Sequence, residues 1–509
     1  MICFFSCTWA VEAQAADDLL SHMTLQEKIG QVFMVGLTEQ KLSSQTIPFL
    51  KKYQLSNFIL FSHNIKNFSQ VKKLVEDLKN VHSQPIFIAT DQEGGEIVRL
   101  HEEEFRTPSA MALGVTRDEK LIYETASYIA YQLDRVGFNL NLAPVMDINT
   151  KGNVGVIGNR AFGNTPEIVS QMGSAFIRGL QERGVSSAAK HFPGHGGAIG
   201  DSHEGFSILP YSFEKLKEWD LVPFKKAIES DVDVIMTAHV TPVGEKLPIT
   251  FSPKYLKELL RDELHFKGII LSDDLEMGAV TSKYGLKRAV VQSFLAGTDM
   301  IMVTGNRDDQ KKAYEALYGA VQDGTISIER LNESVKRILT VKLKRKAARR
   351  EVAEVPSIDF KKKVAQKVFT VLHKSDSFEW FSDSKKRLLV VSPLHSFYTE
   401  VKKNYPNSSF KYLKEEFFKK DQEALLKEIL KEQSKYEFVM VGFTRNSHVK
   451  FVNELIGKVK IPVIAVSFSV PYMSEVLHKK SYSYICTYDR SPEALQTTLA
   501  YLKGEFKPQ

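Results

Sequence analysis

Cysteine is scarce: Cys3, Cys7 and Cys486 are the three in 509 residues. Their spacing matches neither a paired metal-ligand motif nor a disulfide framework, which excludes a zinc-knuckle or disulfide-stapled design. Cys486 ends the apolar run Tyr484-Ile485-Cys486 and is expected to be a buried thiol. Long apolar runs are also missing. No uninterrupted stretch reaches the roughly eighteen residues a membrane span needs, so no transmembrane segment is expected. Neither sign of charge dominates: 68 Lys and Arg stand against 61 Asp and Glu, a net +7. Much of that excess sits in the clusters at 342–350 and 361–363. There is no aromatic-plus-basic module, so nucleic acid is not an expected partner. Internal repeats and low-complexity tracts are absent as well.

The first sixteen residues are set aside as an incomplete export signal. Met1 to Val11 is mostly apolar, and Ala13-Gln14-Ala15 before Ala16 reads as a small-residue cleavage site, although no Lys or Arg precedes it. Phe4-Phe5-Ser6-Cys7 also reads as a weak lipoprotein box. A periplasmic, secreted or lipid-anchored protein is expected, with the cytoplasm as the alternative.

What the chain does contain is alternation. Short apolar runs at 31–36, 57–61, 85–90, 139–145, 187–190, 232–238, 268–272 and 300–303 read as strands. Amphipathic stretches at 69–81, 119–136, 167–183, 214–229, 253–263 and 286–296 read as helices between them. Eight strands alternating with helices predict an α/β fold, a (β/α)8 TIM-type barrel, over residues 17–345. Residues 346–384 read as a linker with a connecting helix at 360–373, and 385–509 as a smaller five-stranded α/β sandwich domain.

The chemistry-bearing residues fall at the ends of the barrel strands. Asp91 follows the third strand, Asp147 the fourth, Lys190-His191 closes the fifth, His239 follows the sixth and Asp273 the seventh. Strand C-termini form the active face of such barrels. Asp273, with Asp274 beside it, has the position of a nucleophilic carboxylate; capping of the next helix is the plain alternative, and suits Asp274. Asp91 with Arg99 and close-approach glycines suits sugar hydroxyls, which need both acceptors and donors; a structural ion pair is the plain alternative. Arg160 lies in a second glycine-rich loop. In Asp201-Ser202-His203 a carboxylate stands two positions from an imidazole, the pattern of an oriented acid/base; a loop histidine with no role is the plain alternative.

Six stretches carry a resemblance to a known family. They are Thr90-Asp91-Gln92-Glu93-Gly94-Gly95, Gly158-Asn159-Arg160-Ala161-Phe162-Gly163, Lys190-His191-Phe192-Pro193-Gly194-His195-Gly196, Asp201-Ser202-His203, Met236-Thr237-Ala238-His239 and Ser272-Asp273-Asp274-Leu275-Glu276-Met277. In this order the chain resembles glycoside hydrolase family 3, in its N-acetyl-β-glucosaminidase branch. The resemblance implies a retaining exo-hydrolase acting on a small carbohydrate, with no cofactor and no metal. It implies Asp273 as nucleophile, His203 as acid/base oriented by Asp201, and Asp91, Arg99, Arg160, Lys190 and His191 as the grip on the terminal sugar. The expected substrate is terminal β-linked N-acetylglucosamine, foremost in peptidoglycan-derived muropeptides, with chitin oligosaccharides as the rival. Other readings are a β-glucosidase or xylosidase of the same family, a metal-dependent barrel hydrolase using His191, His195, His239 and Asp273, and a non-catalytic sugar-binding protein. The oligomeric state is not readable from sequence.

Overall fold

The computed structural model describes residues 2–100, 106–150, 156–200, 207–348, 358–415, 418–471 and 474–508. Two of the expected site residues, Asp201 and His203, lie outside the described residues. The chain divides into two compact units, Met1–Ala110 with Arg117–Glu354, and Met111–Thr116 with Val355–Gln509.

Among its described residues the first unit holds ten strands: β1 Phe33–Gly36, β2 Asn57–Ile59, β3 Phe87–Thr90, β4 Leu140–Asn141, β5 Ser186–Phe192, β6 Ser207–Leu209, β7 Val234–Thr237, β8 Val240–Pro242, β9 Ile269–Ser272 and β10 Ile301–Val303. Eight of them form one parallel sheet in the order β10-β1-β2-β3-β4-β5-β7-β9. A parallel bridge between Leu271 and Met300 joins its two ends, so the sheet is nearly closed as a barrel. β1, β2, β3, β5, β7, β9 and β10 are buried along their whole length, as strands covered on both faces must be. The helices between them begin where the sequence supplies caps. Thr24 and Glu27 form a reciprocal capping box, and the side chains of Asn67, Asp118 and Thr165 accept helix N–H groups. Gly137 ends the helix Glu119–Val136 at φ 89°, in the left-handed region that favours glycine.

The barrel expected from sequence is thus present, with two differences. The fourth strand, read over 139–145, pairs as a ladder only at Leu140–Asn141. Pro144 has no N–H to contribute. The chain still runs beside β5: Ala143 and Pro144 accept the N–H groups of Ala188 and Lys190 at 3.0 and 3.1 Å, and Met146 donates to the Lys190 carbonyl at 2.6 Å. This delivers Asp147 to the mouth next to Lys190-His191. The second difference is the small parallel pair β6–β8, which lies outside the barrel sheet. Ile199 and Ile208 exchange backbone hydrogen bonds of 2.9 and 3.0 Å and extend this pair.

At the opposite end of the barrel the charges are structural. Asp233, just before β7, accepts from Arg345 and Lys344. Asp299, just before β10, accepts from Arg261, Arg337 and Ser334. Arg337, Ser334, Lys344 and Arg345 all belong to the helix Ile328–Ala348, which is thereby tied to the strand starts.

The second unit contains one six-stranded sheet: β11 Thr370–Lys374, β12 Leu388–Ser392, β13 Ser409–Tyr412, β14 Phe438–Phe443, β15 Val463–Ser467 and β16 Ser483–Cys486. Its order is β11-β16-β15-β14-β12-β13, parallel except for β11 against β16. Alternate residues feed two cores, Leu388, Val390, Met440 and Ile464 into one and Leu389, Val391, Val439 and Val441 into the other. The segment read as one connecting helix over 360–373 is a helix Ile358–Val368 followed by the antiparallel edge strand β11, so the sheet has six strands rather than five. Cys486, on β16, is fully buried, and burial pushes its thiol up to about 12.

Candidate active site

The C-terminal ends of β3, β5, β7 and β9 bring Asp91, Lys190, His191, His239 and Asp273 to one mouth. Lys190 is the centre of the polar network. Only 3% of it is exposed, and its ammonium donates to Asp91 Oδ1 at 2.9 Å and sits 2.7 Å from Glu93 Oε1. Arg160 binds the same Glu93 through a two-pronged contact, Nε to Oε2 and Nη2 to Oε1, both 2.8 Å. Arg99 reaches Asp91 Oδ2 at 3.5 Å. Asp91, Arg99, Arg160 and Lys190 are therefore one connected set, with Glu93 as an added member.

The electrostatics follow from this packing. Burial alone would favour neutral Glu93, but Arg160 and Lys190 outweigh it and hold the carboxyl far below its ordinary range. Burial would likewise strip the proton from Lys190, but Asp91 and Glu93 reverse that and raise its pKa. Lys190 and Arg160 stay charged, and the charge is held in fixed directions. That suits a ring of sugar hydroxyls, each able to donate and accept.

His191 occupies the next position on β5. Its Nδ1 lies 2.7 Å from Asp147 Oδ2. Asp147 is fully buried, and its other oxygen accepts the backbone N–H groups of His191 and His195 at 3.3 and 2.6 Å. A carboxylate on Nδ1–H fixes the ring's tautomer and leaves Nε2 for the pocket. Burial opposes ionisation of Asp147, yet His191 and His195 keep its pKa below the usual value.

Asp273 follows β9 and is half-buried. Its Oδ1 accepts the Asp274 N–H at 2.8 Å. Burial would raise its pKa; His239, His191, that N–H and Lys190 together lower it, so the carboxyl is an anion beside Lys190 and His191. His239 is neutral, because burial outweighs the pull of Asp273 and Asp274. Its Nε2 donates to the Asp274 carbonyl at 3.0 Å, and Nδ1 faces the Thr250 hydroxyl at 2.8 Å. Asp274 is not a helix cap. It accepts from Thr304 and from the Glu276 N–H, while Met277 stands at the start of the helix Gly278–Tyr284. Asp274 thus fixes the loop that carries Asp273.

The glycines of the loop after β5 are required by close approach. A Cβ on Gly196 would stand 1.8 Å from the Ile148 carbonyl oxygen, and one on Gly197 would stand 2.7 Å from the Tyr211 hydroxyl. The loop is seated against the fourth-strand segment on one side and Tyr211 on the other. Sequence reading named Glu93 within a motif and Asp147 at a strand end but gave neither a task. Charge balance was the available signal, since Arg99, Arg160 and Lys190 cannot all be satisfied by Asp91. Among the described residues no group of three or more His, Cys, Asp or Glu forms a metal-type cluster. His191 and His239, two of the imidazoles in the metal alternative, are engaged by Asp147 and by Thr250 with Asp274.

Comparison with known proteins places the same barrel among known enzymes. "Beta-hexosaminidase A" of Pseudoalteromonas piscicida is 34% identical over 324 residues, covering 58% of this chain and 54% of that protein. The chain thus spans about half the length of that relative. "Beta-hexosaminidase" of Neisseria meningitidis is 38% identical over 287 residues, 54% of this chain and 78% of the relative. Among solved structures, a glycoside hydrolase family 3 beta-N-acetylglucosaminidase from Paenibacillus superposes with a TM-score of 0.87 at 30% identity, covering 96% of this chain and 98% of that one. The model of the glycosyl hydrolase family 3 N terminal domain matches residues 24–341, from the first capping box into the helix that locks the barrel floor, and the chain belongs to that family.

Proposed function

We propose that this protein is a retaining, exo-acting β-N-acetylglucosaminidase that works through a covalent glycosyl-enzyme. The observation that carries the reading is the ionised Asp273 set beside the Lys190–Asp91–Glu93–Arg160 network. A carboxylate held as an anion next to a fixed sugar grip is the arrangement a nucleophile at an anomeric carbon requires. Asp91, Arg99, Arg160, Lys190 and His191 bind the terminal sugar. In the first step an Asp273 oxygen bonds to the anomeric carbon while the glycosidic C–O bond breaks, and His203, oriented by Asp201, gives its proton to the leaving oxygen. In the second step neutral His203 takes a proton from water, the water oxygen bonds to the anomeric carbon, and Asp273 leaves as a carboxylate. An imidazole suits both steps because it gives and takes a proton near neutral pH.

The similarity to bacterial β-hexosaminidases and to the Paenibacillus enzyme supports N-acetylglucosamine as the sugar. The natural substrate of this reading is terminal β-linked N-acetylglucosamine in peptidoglycan-derived muropeptides, reached after export. The test is turnover of an aryl β-N-acetylglucosaminide by the wild type, Asp273→Ala and His203→Ala, in phosphate and in phosphate-free buffer. Asp273→Ala is expected to lose at least about a thousandfold in kcat. Near-normal turnover by that variant refutes the mechanism, and faster turnover of the matching aryl glucoside by the wild type refutes the substrate.

A further inference from the structure

Asp220 stands at the N-cap of the helix Leu221–Glu229, where an aspartate ordinarily accepts helix N–H groups. It makes no such bond. The side chain, 1% exposed, turns away from its helix toward the loop that follows β5. Its Oδ2 accepts the Tyr211 hydroxyl at 2.7 Å, and among the described residues its Oδ1 has no hydrogen-bond partner. A Cβ on Gly194, at φ 134°, would meet Asp220 Cβ at 2.6 Å and Oδ1 at 2.8 Å. A Cβ on Gly197 would meet the Tyr211 hydroxyl at 2.7 Å. The hydrogen-bonded pair therefore forms the seat of the 194–197 turn.

The opposite side of that turn is fixed independently. Gly196 abuts the Ile148 carbonyl, and the His195 N–H is held by Asp147 at 2.6 Å. The turn is thus gripped between Asp147-Ile148 and Asp220-Tyr211. Immediately beyond it, Ile199 is bonded to Ile208, so the chain is pinned on both sides of the segment that bears Asp201 and His203. A buried carboxylate is a costly way to fill space, since an apolar side chain would do so without desolvation. Burial first, and then Asp147, push the Asp220 carboxyl up, against the Tyr211 hydroxyl, the residue's own backbone N–H and Lys215, which pull it down.

We propose that Asp220 and Tyr211 are positioning residues for proton transfer: they wedge the turn at 194–197 from below and so set where the chain enters its acid/base segment. The inference rests on His203 being the acid/base. A wedge under the 194–197 turn governs protonation of the leaving group more than attack by Asp273, which is carried by a different strand end.

The test uses the full-length protein and a series of aryl β-N-acetylglucosaminides whose phenols span a wide range of acidity, with kcat/KM reporting the first step. Tyr211→Phe and Asp220→Ala are expected to lose about tenfold to a hundredfold on the least acidic phenols and less than about threefold on a dinitrophenol, which leaves without protonation. Asp220→Asn keeps an acceptor for Tyr211 and is expected to recover most of the loss seen in Asp220→Ala. A packing defect alone would depress every substrate alike. Losses independent of the leaving group, or an Asp220→Asn variant no better than Asp220→Ala, overturn the proposal. His203→Ala, run alongside, separates the two levels. If its own losses do not vary with leaving group, the acid/base assignment falls and the wedge with it. If they vary while those of Tyr211→Phe and Asp220→Ala do not, the wedge alone falls.

Discussion

Replacing Asp220 by asparagine should make the protein more stable at neutral pH, by an amount that follows from the site. The ordinary aspartate value of 3.8 is pushed up to about 6, first by burial and then by Asp147. In the window between these values the folded protein holds a proton that the unfolded chain has released. Stability therefore falls as pH rises from about 4 to about 6, and the loss is complete above the folded value. A gap of roughly two pH units at 1.36 kcal/mol each is about 3 kcal/mol. Asparagine has nearly the same shape and cannot ionise, so it escapes this loss. Melting curves of the wild type and Asp220→Asn across pH 4 to 8 isolate the effect, because groups not coupled to Asp220 cancel in the difference and Asp147, which is coupled to it, is held below its ordinary value and stays ionised over that window. The variant's advantage is expected to grow by about 3 kcal/mol over that window, about 4 °C for a unit of this size. A difference that stays constant with pH, or that turns against asparagine as pH rises, refutes the reasoning. It would mean that the carboxyl beneath the loop is as well solvated as a surface aspartate.

Glu93→Gln leaves the buried Arg160 and Lys190 short of a countercharge. It should cost about 3–5 kcal/mol of stability by denaturant unfolding and raise KM more than it lowers kcat; an unchanged KM would detach Glu93 from the sugar grip. Gly196→Ala forces a Cβ to within 1.8 Å of a backbone oxygen that is itself fixed, so kcat/KM should fall by at least about a hundredfold, and wild-type kinetics would show that the loop has room to spare. Cys486, buried and with its thiol pushed up to about 12, should resist a thiol reagent at pH 8 in the folded protein and react once guanidinium unfolds it; peptide mass spectrometry after labelling reads the outcome.

Much of this architecture was legible before any coordinates. Buried parallel strands write themselves as short apolar runs, and a polar residue directly after such a run lands on the barrel's active face. That placed Asp91, Lys190, His191, His239 and Asp273 together without reference to distance. Pairing partners were less legible. The task of Glu93 depends on Arg160, 67 positions away, and that of Asp147 on His191, 44 positions away; no local pattern encodes either contact. The β-ladder of the fourth strand was overestimated because apolarity continues through Pro144, whose missing N–H interrupts it. β11 was missed because Val364, Ala365 and Val368 set a helical period that masks the change to a strand two residues later. Strands as short as β6 and β8 offer too few residues for any period to emerge.

The backbone exchange between Ile199 and Ile208 has an evolutionary consequence. It staples the two flanks of the segment proposed to carry the acid/base to each other, and the β6–β8 pair holds that staple apart from the barrel ladder. Whatever lies between the staples can be lengthened, shortened or exchanged at the modest cost of closing a different loop. The barrel, the Lys190–Asp91–Glu93–Arg160 network and Asp273 need not register the change. Under the proposed mechanism, the fold thus sets the part of the reaction that meets the leaving group apart as a cassette, open to selection for new aglycones while the residues proposed to hold the sugar are kept constant.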